Sequence, residues 1–206
     1  MQRHRIIITG ASAGGVEAVT QLFAGLRGDL PAALFVVIHQ CAHGPSLLHE
    51  IIGRRTALTV VAATDGMAIE PSRVYVAPPD RHLLVAPGHC ILGLGPRENH
   101  ARPAVDPLFR SAAESYGSLV IGVVLSGNLD DGAAGLRVIQ KHGGVTVVQE
   151  PADAPYPGMP HAALRAGPID HIVPLEQMPM LIEALINLPV EHSAAARPAG
   201  SGCRTW

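Results

Sequence analysis

The chain of 206 residues is long enough for one domain and short for two. Hydrophobic residues make up 48% of it and aromatic residues only 3%, so the core must be built from aliphatic side chains, as in parallel sheets covered by helices. The net charge of −2 argues against nucleic acid or an anionic membrane surface as the partner, and no apolar stretch has the length that membrane insertion requires. Cys41, Cys90 and Cys203 match no familiar disulfide spacing. We therefore expect a protein of the reducing cytoplasm.

Apolar runs alternate with helical patterns along most of the chain. Strands are predicted at residues 5–9, 33–38, 58–62, 119–125, 145–149 and 171–173. Helices are predicted at residues 16–26, 45–52, 106–116, 132–141, 162–166 and 175–188. Because strand–helix–strand units pair their strands in parallel, the predicted fold class is α/β, with a doubly wound, mainly parallel sheet flanked by helices.

The middle and the end of the chain depart from this alternation. Three short apolar segments, 74–77, 83–86 and 91–94, are separated by turn sequences that contain Pro, Asp and Gly. This pattern is typical of hairpins, so we predict an antiparallel hairpin region near residues 74–94. Residues 191–206 are rich in Ala, Ser, Gly, Pro and Arg without periodicity, and we predict a mobile tail after a single domain of residues 1–190.

A segment of small residues, GASAGG at 10–15, joins the first strand to the first helix and carries Ser12 near its centre. This G-x-S-x-G arrangement is that of a nucleophile elbow, in which a sharp turn exposes the serine hydroxyl. The N-terminus of the following helix would direct free N–H groups and the positive end of its dipole toward an oxyanion. Two other roles stay open: Ser12 could cap the helix, or the loop could bind a phosphate.

His39 follows the second predicted strand, where a dinucleotide-binding fold would carry an acidic residue. The missing acid, and Ser12 in place of a glycine, argue against a dinucleotide site. Since neighbouring parallel strands end at one edge of a sheet, Ser12 and His39 can be neighbours, as acyl transfer requires. A histidine bonded only to the backbone is the alternative. A metal site with Cys41 and His43 is disfavoured because no second ligand pair follows, and no cofactor is expected.

Two adjacent aspartates, Asp130 and Asp131, follow the strand predicted at 119–125 and precede a helix. One of them could orient the imidazole of His39 and stabilise its cation, while the other caps the helix. Spacing does not decide between them. The chain order Ser–His–Asp differs from that of α/β-hydrolases, chymotrypsin and subtilisin, so an ordinary α/β-hydrolase is disfavoured.

Six sequence blocks occur in a recognisable order: IITGASAGG, IHQ, VYVAPPDRHLLV, RPAVDPLF, GVVLSGNLDDGAAGL and QEPADAPYPGMPHAAL. Together they resemble the catalytic domain of the chemotaxis methylesterase (CheB) family, from about residue 5 to residue 188. The resemblance implies a serine hydrolase that removes methyl groups from glutamate γ-methyl esters on the cytoplasmic helices of chemoreceptors; family members also deamidate receptor glutamines. It implies Ser12 as nucleophile, His39 as base and Asp131 as the group that orients the base, without metal or cofactor.

The chain departs from the family pattern at several positions. Ala13 stands where the family usually has threonine, Asn128 and Leu129 replace a usual Met-Gly pair, and Asp130 stands where Asn or Ser is more common. The groups expected to line the site and hold the oxyanion are those of Ala13, Gly14 and Asn128. No receiver domain, which the family commonly carries, is expected within these 206 residues. A regulatory or binding module of the same fold with weak catalysis is the alternative function.

Overall fold

The computed structural model describes residues 4–40 and 46–189 and alternates strands with helices through most of them. The strands are β1 (Arg5–Ala11), β2 (Ala32–Ile38), β3 (Thr59–Ala62), β4 (Arg73–Val76), β5 (His82–Ala86), β6 (His89–Gly93), β7 (Val120–Val124), β8 (Val145–Gln149) and β9 (His171–Val173). The α-helices are α1 (Gly15–Ala24), α2 (Leu48–Gly53), α3 (Val105–Tyr116), α4 (Ala133–Lys141), α5 (Gly158–Ala166) and α6 (Met178–Asn187).

A seven-stranded sheet forms the centre of the fold, in the order β3-β4-β2-β1-β7-β8-β9. All of its strand pairs are parallel, so the connections cross the faces of the sheet, and all but the connection from β3 to β4 include a helix. Ile7 of β1 packs into a core with α1, α2 and α6, whereas Ile6 and Ile8 pack into the opposite core with α3, α4 and α5. A strand buried on both faces is a continuous apolar run, which is why the sequence pattern predicts this sheet. The doubly wound α/β fold is confirmed.

The predicted antiparallel region near residues 74–94 is confirmed for the segments 83–86 and 91–94. β5 and β6 do form an antiparallel two-stranded sheet, with Leu84 paired to Ile91. The prediction is wrong for 74–77, because β4 is an interior strand of the main sheet and pairs in parallel with both β2 and β3. Val74, Tyr75 and Val76 are buried, and a short apolar run between turns has the same sequence pattern in a hairpin as in a buried parallel strand.

The boundaries of the last two helices also differ from the sequence pattern. α5 begins at Gly158 rather than 162. Pro160 is compatible with this earlier start because it lies in the first turn of the helix, where its missing N–H removes no helical hydrogen bond. The last predicted helix is divided into a 3₁₀ turn at Leu175–Gln177 and α6.

The predicted tail, 191–206, lies outside the described residues. Within residues 4–40 and 46–189, no helix has the length and apolarity needed to cross a bilayer.

The packing around β1 can be tested at the buried hydroxyl of Thr9. Thr9 is fully buried, and its Oγ1 has no hydrogen-bond partner among the described residues. A buried polar group without a partner costs stability, and valine has nearly the same shape without the hydroxyl. We expect Thr9→Val to raise the free energy of unfolding by about 1 kcal/mol in urea denaturation.

Thr146→Val is the matched control for this substitution. Thr146 is equally buried in β8, but its hydroxyl donates to Asp170 Oδ2 at 2.8 Å and accepts from the Asp170 N–H at 3.0 Å. Its replacement should lower the free energy of unfolding by about 1–3 kcal/mol. Equal destabilisation by both substitutions would mean that the Thr9 hydroxyl has a partner after all.

Candidate active site

The carboxyl ends of β2, β1 and β7 lie side by side at one edge of the sheet. The last residue of β1 pairs with the last residue of β2, and the residue before it pairs with the last residue of β7. Ser12 therefore leaves the sheet next to His39, and the loop that carries Asp131 begins on the other side of Ser12. The direction of winding changes between β1 and β7, and open α/β sheets bind their ligands at such a switch point.

Ser12, His39 and Asp131 are joined by a continuous series of hydrogen bonds. Ser12 Oγ lies 3.1 Å from His39 Nδ1, and His39 Nε2 lies 2.7 Å from Asp131 Oδ2. An ionised carboxylate can only accept, so Nε2 carries the ring proton and the unprotonated Nδ1 accepts from the Ser12 hydroxyl. The side chain of His39 is 17% exposed and that of Asp131 is 0% exposed, so the series leads from an accessible hydroxyl to a buried acid.

The carboxylate of Asp131 accepts four hydrogen bonds. In addition to His39, Oδ2 accepts from the backbone N–H of Val105 at 2.7 Å. Oδ1 accepts from the backbone N–H of Asp106 at 3.0 Å and from Asn99 Nδ2 at 2.8 Å. Burial acts to raise the pKa of Asp131, but the hydrogen bonds, led by that from His39, outweigh burial and hold this pKa below its usual value. Asp131 is therefore ionised at neutral pH.

A second buried carboxylate, that of Asp106, lies beside the first. Its Oδ1 accepts from the backbone N–H groups of Gly132 at 3.1 Å and Gly135 at 2.7 Å, and its Oδ2 accepts from Asn99 Nδ2 at 3.0 Å. Burial and the negative charge of Asp131 raise the pKa of Asp106. Each acid thus accepts hydrogen bonds from free N–H groups at the start of a helix. Asp131 binds the start of α3, which contains Asp106, and Asp106 binds the start of α4, which follows Asp131 in the chain.

No sequence pattern predicts a role for Asn99 or Asp106, and one member of the Asp130–Asp131 pair is expected to cap α4. The N-cap of α4 is instead Gly132, without a side-chain cap of its own, and Asp130 is exposed. Asp106 lies in the RPAVDPLF block, where an acid in the first turn of a helix looks like an ordinary favourable charge. Its contacts with α4 arise only in the folded chain.

Ser126 holds the turn that carries Ser12. The Ser12 N–H donates to Ser126 O at 3.0 Å, and Ser126 Oγ donates to Ala13 O at 2.9 Å. Gly14 has a φ of 68°, which side chains rarely adopt, and a Cβ at this position would lie 3.1 Å from Ser126 Oγ. The turn is therefore fixed through both its backbone and a neighbouring side chain before α1 begins.

Two of the residues expected to hold an oxyanion, Ala13 and Gly14, directly follow Ser12 in the turn. The N–H of Ser12 is engaged with Ser126, whereas the N–H groups of Ala13 and Gly14 donate to none of the described residues. Asn128 is exposed on the loop between β7 and α4. Gly127, directly before it, passes so close that an added Cβ would lie 2.9 Å from Ser12 Cβ.

The metal alternative involved two residues, Cys41 and His43, that lie outside the described part of the chain. Within the described ranges, no three His, Cys, Asp or Glu side chains are grouped as metal ligands. His39 is instead bonded on both ring nitrogens to Ser12 and Asp131. In chemical terms the arrangement places a hydroxyl beside an imidazole whose tautomer is fixed by a buried anion.

Two curated proteins are similar in sequence to most of this chain. A protein of Anaeromyxobacter dehalogenans (strain 2CP-C), named protein-glutamate methylesterase/protein-glutamine glutaminase 5, is 38% identical over an alignment of 183 residues that covers 85% of this chain and 49% of the relative. A protein of Xanthomonas euvesicatoria pv. vesicatoria (strain 85-10), named protein-glutamate methylesterase/protein-glutamine glutaminase 1, is 38% identical over an alignment of 185 residues that covers 88% of this chain and 51% of the relative. The chain spans about half the length of these curated relatives.

A solved structure covers almost the same region. The crystal structure of the Thermotoga maritima CheB methylesterase catalytic domain superposes with a TM-score of 0.83 at 30% sequence identity, over 89% of this chain and 100% of that one. A family model described as CheB methylesterase matches residues 7–182, which include Ser12, His39 and Asp131. The chain therefore belongs to the CheB methylesterase family.

Proposed function

We propose that this chain is a serine esterase that hydrolyses glutamate γ-methyl esters on the cytoplasmic helices of chemoreceptors. The observation that carries the proposal is the hydrogen-bonded series from the Ser12 hydroxyl through His39 to the buried Asp131. The names of the curated relatives, which combine methylesterase and glutaminase, support a carboxyl derivative of a protein glutamate side chain as the substrate. We extend the proposal to deamidation of receptor glutamines, since an amide carbonyl accepts the same attack. The site of action would be the cytoplasm, where these receptor helices lie.

The proposed reaction has two steps. Ser12 Oγ attacks the ester carbonyl carbon while His39 Nδ1 accepts the hydroxyl proton. The tetrahedral intermediate then expels the methoxy group, His39 transfers the proton to its oxygen, and methanol leaves a glutamyl ester on Ser12. Water attacks this ester in the same way, with His39 accepting its proton and returning it to Ser12 Oγ. Asp131 remains ionised and stabilises the imidazolium in both steps.

The oxyanion of each intermediate would be held by backbone N–H groups. Those of Ala13 and Gly14 lie next to Ser12 at the N-terminal end of α1, where the helix dipole favours negative charge. The Asn128 segment, which follows the close contact between Gly127 and Ser12, would contribute from the opposite side. Because backbone groups serve this role, alanine at 13 and asparagine at 128 are compatible with it.

The first test removes the proposed nucleophile and base. Ser12→Ala and His39→Ala should each lower methanol release from methylated receptor membranes by about 10⁴-fold or more, because the two residues act as a unit. A fluorophosphonate probe should label the wild-type protein at Ser12 and label neither variant. His142→Ala, which removes an exposed histidine at the end of α4, is the control and should keep wild-type turnover.

Substantial turnover by Ser12→Ala would exclude the covalent route. A wild-type protein that binds receptor membranes but neither reacts with the probe nor releases methanol would instead support the weak-catalysis binding module.

The second test compares the two neighbouring aspartates. Asp131→Asn replaces an acceptor of four hydrogen bonds by an amide that presents the wrong partner to His39 Nε2. The single-turnover rate should fall by about 10⁴-fold, as tautomer-breaking changes do in triads. Asp130→Asn, at an exposed position, should stay within about threefold of wild type, as surface substitutions usually do. The reverse ranking would mean that Asp130 is the orienting acid.

The third test uses the lowered pKa of Asp131. Between this pKa and the ordinary value of about 4, the unfolded chain binds a proton at Asp131 that the folded chain does not. The stabilising contribution of Asp131 is therefore complete above about pH 4 and is lost as the pH falls through the folded pKa. In urea denaturation, the stability difference between wild type and Asp131→Asn should be largest near neutral pH and shrink below about pH 4. A difference that stays constant from neutral to acid pH would contradict the lowered pKa, with Asp130→Asn as the carboxylate-removal control.

A further inference from the structure

We propose that Asn99 is a positioning residue for the Asp131 carboxylate, and that its amide group keeps Asp131 and the second buried acid, Asp106, apart and correctly oriented. This inference rests on the proposed function, because it assigns Asn99 a role in the same reaction. Asn99 acts through Asp131 and touches neither Ser12 nor His39 in the described hydrogen bonds.

The local backbone explains how Asn99 reaches the two acids. Glu98 and Ala101 exchange two backbone hydrogen bonds, at 3.1 and 2.8 Å, around a two-residue turn. Both turn residues are left-handed, Asn99 with φ 49° and His100 with φ 64°. Asparagine tolerates this conformation better than most residues, which favours it at the first position of the turn. Arg110 fixes the turn to α3 by donating to both carboxylate oxygens of Glu98, at 2.7 and 2.8 Å.

The side-chain amide of Asn99 is shared between the two carboxylates. Its Nδ2 lies 2.8 Å from Asp131 Oδ1 and 3.0 Å from Asp106 Oδ2. A side-chain NH₂ group has two hydrogens, so each acid accepts one of them. The opposite orientation of the amide would direct its oxygen at two anions, so the electrostatics fix which way the group points.

The separation matters because the two acids repel each other. Asp131 and Asp106 are both almost fully buried, at 1% and 5% exposure, and like charges interact strongly where water is excluded. Asp131 Oδ1 depends on Asn99 and one backbone N–H, whereas Oδ2 accepts from His39 and Val105. Loss of the Asn99 donor would leave one lone pair of Oδ1 unpaired and allow the carboxylate to turn away from His39.

The test combines two substitutions in the same turn. Glycine adopts a left-handed conformation without strain, so Asn99→Gly removes the amide but preserves the turn, and His100→Gly is the matched control. Asn99→Gly should lower kcat for ester hydrolysis and the rate of fluorophosphonate labelling by roughly 10–100-fold, because small misplacements of catalytic groups have costs of this size. KM should be unchanged. His100→Gly should remain within about twofold of wild type, as surface substitutions usually do.

Asn99→Asp supplies a readout that a purely structural role would not change. An ionised aspartate at this position donates no hydrogen bond and adds a third negative charge, whereas a protonated one donates a single O–H. The neighbouring acids, Asp131 and Asp106, would raise the pKa of the new carboxyl above its usual value. The labelling rate relative to wild type should therefore be lowest near pH 8 and increase as the pH falls to about 6.

The possible outcomes distinguish a failure of this inference from a failure of the proposed function. Wild-type labelling rates in folded Asn99→Gly, or a pH-independent ratio in folded Asn99→Asp, would overturn the role of Asn99. If wild type itself is not labelled, the proposed function fails, and the proton resonance of His39 Nε2–H then tests the positioning directly. This resonance should shift in Asn99→Gly and stay in place in His100→Gly; an unchanged resonance in both would again overturn the inference.

Discussion

Burial of the Asp131 carboxylate is the constraint on which the arrangement of the site depends. A buried charge without partners is strongly unfavourable, and four hydrogen-bond donors offset that cost here. Two of the donors are first-turn N–H groups of α3, one comes from the 98–101 turn and one from His39. Three separate segments must therefore meet at one acid, which couples the formation of the site to the folding of the domain.

Close packing of the backbone makes this meeting possible. A Cβ at Gly10 would collide with the side chain of Val105, so the absence of a side chain at the end of β1 allows the start of α3 to lie against the sheet. The same helix start then directs the Val105 N–H at Asp131 Oδ2, at 2.7 Å. Asp106, one residue later, accepts from the amides at the start of α4. Gly10, which has no side chain, thus allows the N-termini of α3 and α4 to lie close to the two acids, Asp131 and Asp106.

Local sequence patterns could predict one part of the site and not the other. Ser12 and His39 directly follow buried strands, and the ends of parallel strands share an edge, so their proximity follows from strand assignment alone. Asn99 bonds to a residue 32 positions away and lies in a turn with no strong signal. The position of β4 is not predictable for a related reason, since one of its two partners, β2, comes from a distant segment and its short apolar run does not specify the strand direction. Contacts that arise only from tertiary packing do not produce a periodic sequence pattern, so periodicity does not predict them.

The strand order also explains which nitrogen of His39 faces which partner. In the serine protease arrangement, Nε2 faces the serine and Nδ1 faces the acid. Here β1 lies between β2 and β7, so the imidazole that leaves β2 extends across the end of β1 toward the loop after β7. The nitrogen nearer the histidine backbone, Nδ1, meets Ser12 from the adjacent strand, and the more distant Nε2 meets Asp131 beyond it. An acid bonded to either ring nitrogen fixes the tautomer, so the reversed ring still directs a lone pair at the serine hydroxyl. The orientation of the ring is therefore determined by the sheet topology rather than by the imidazole itself.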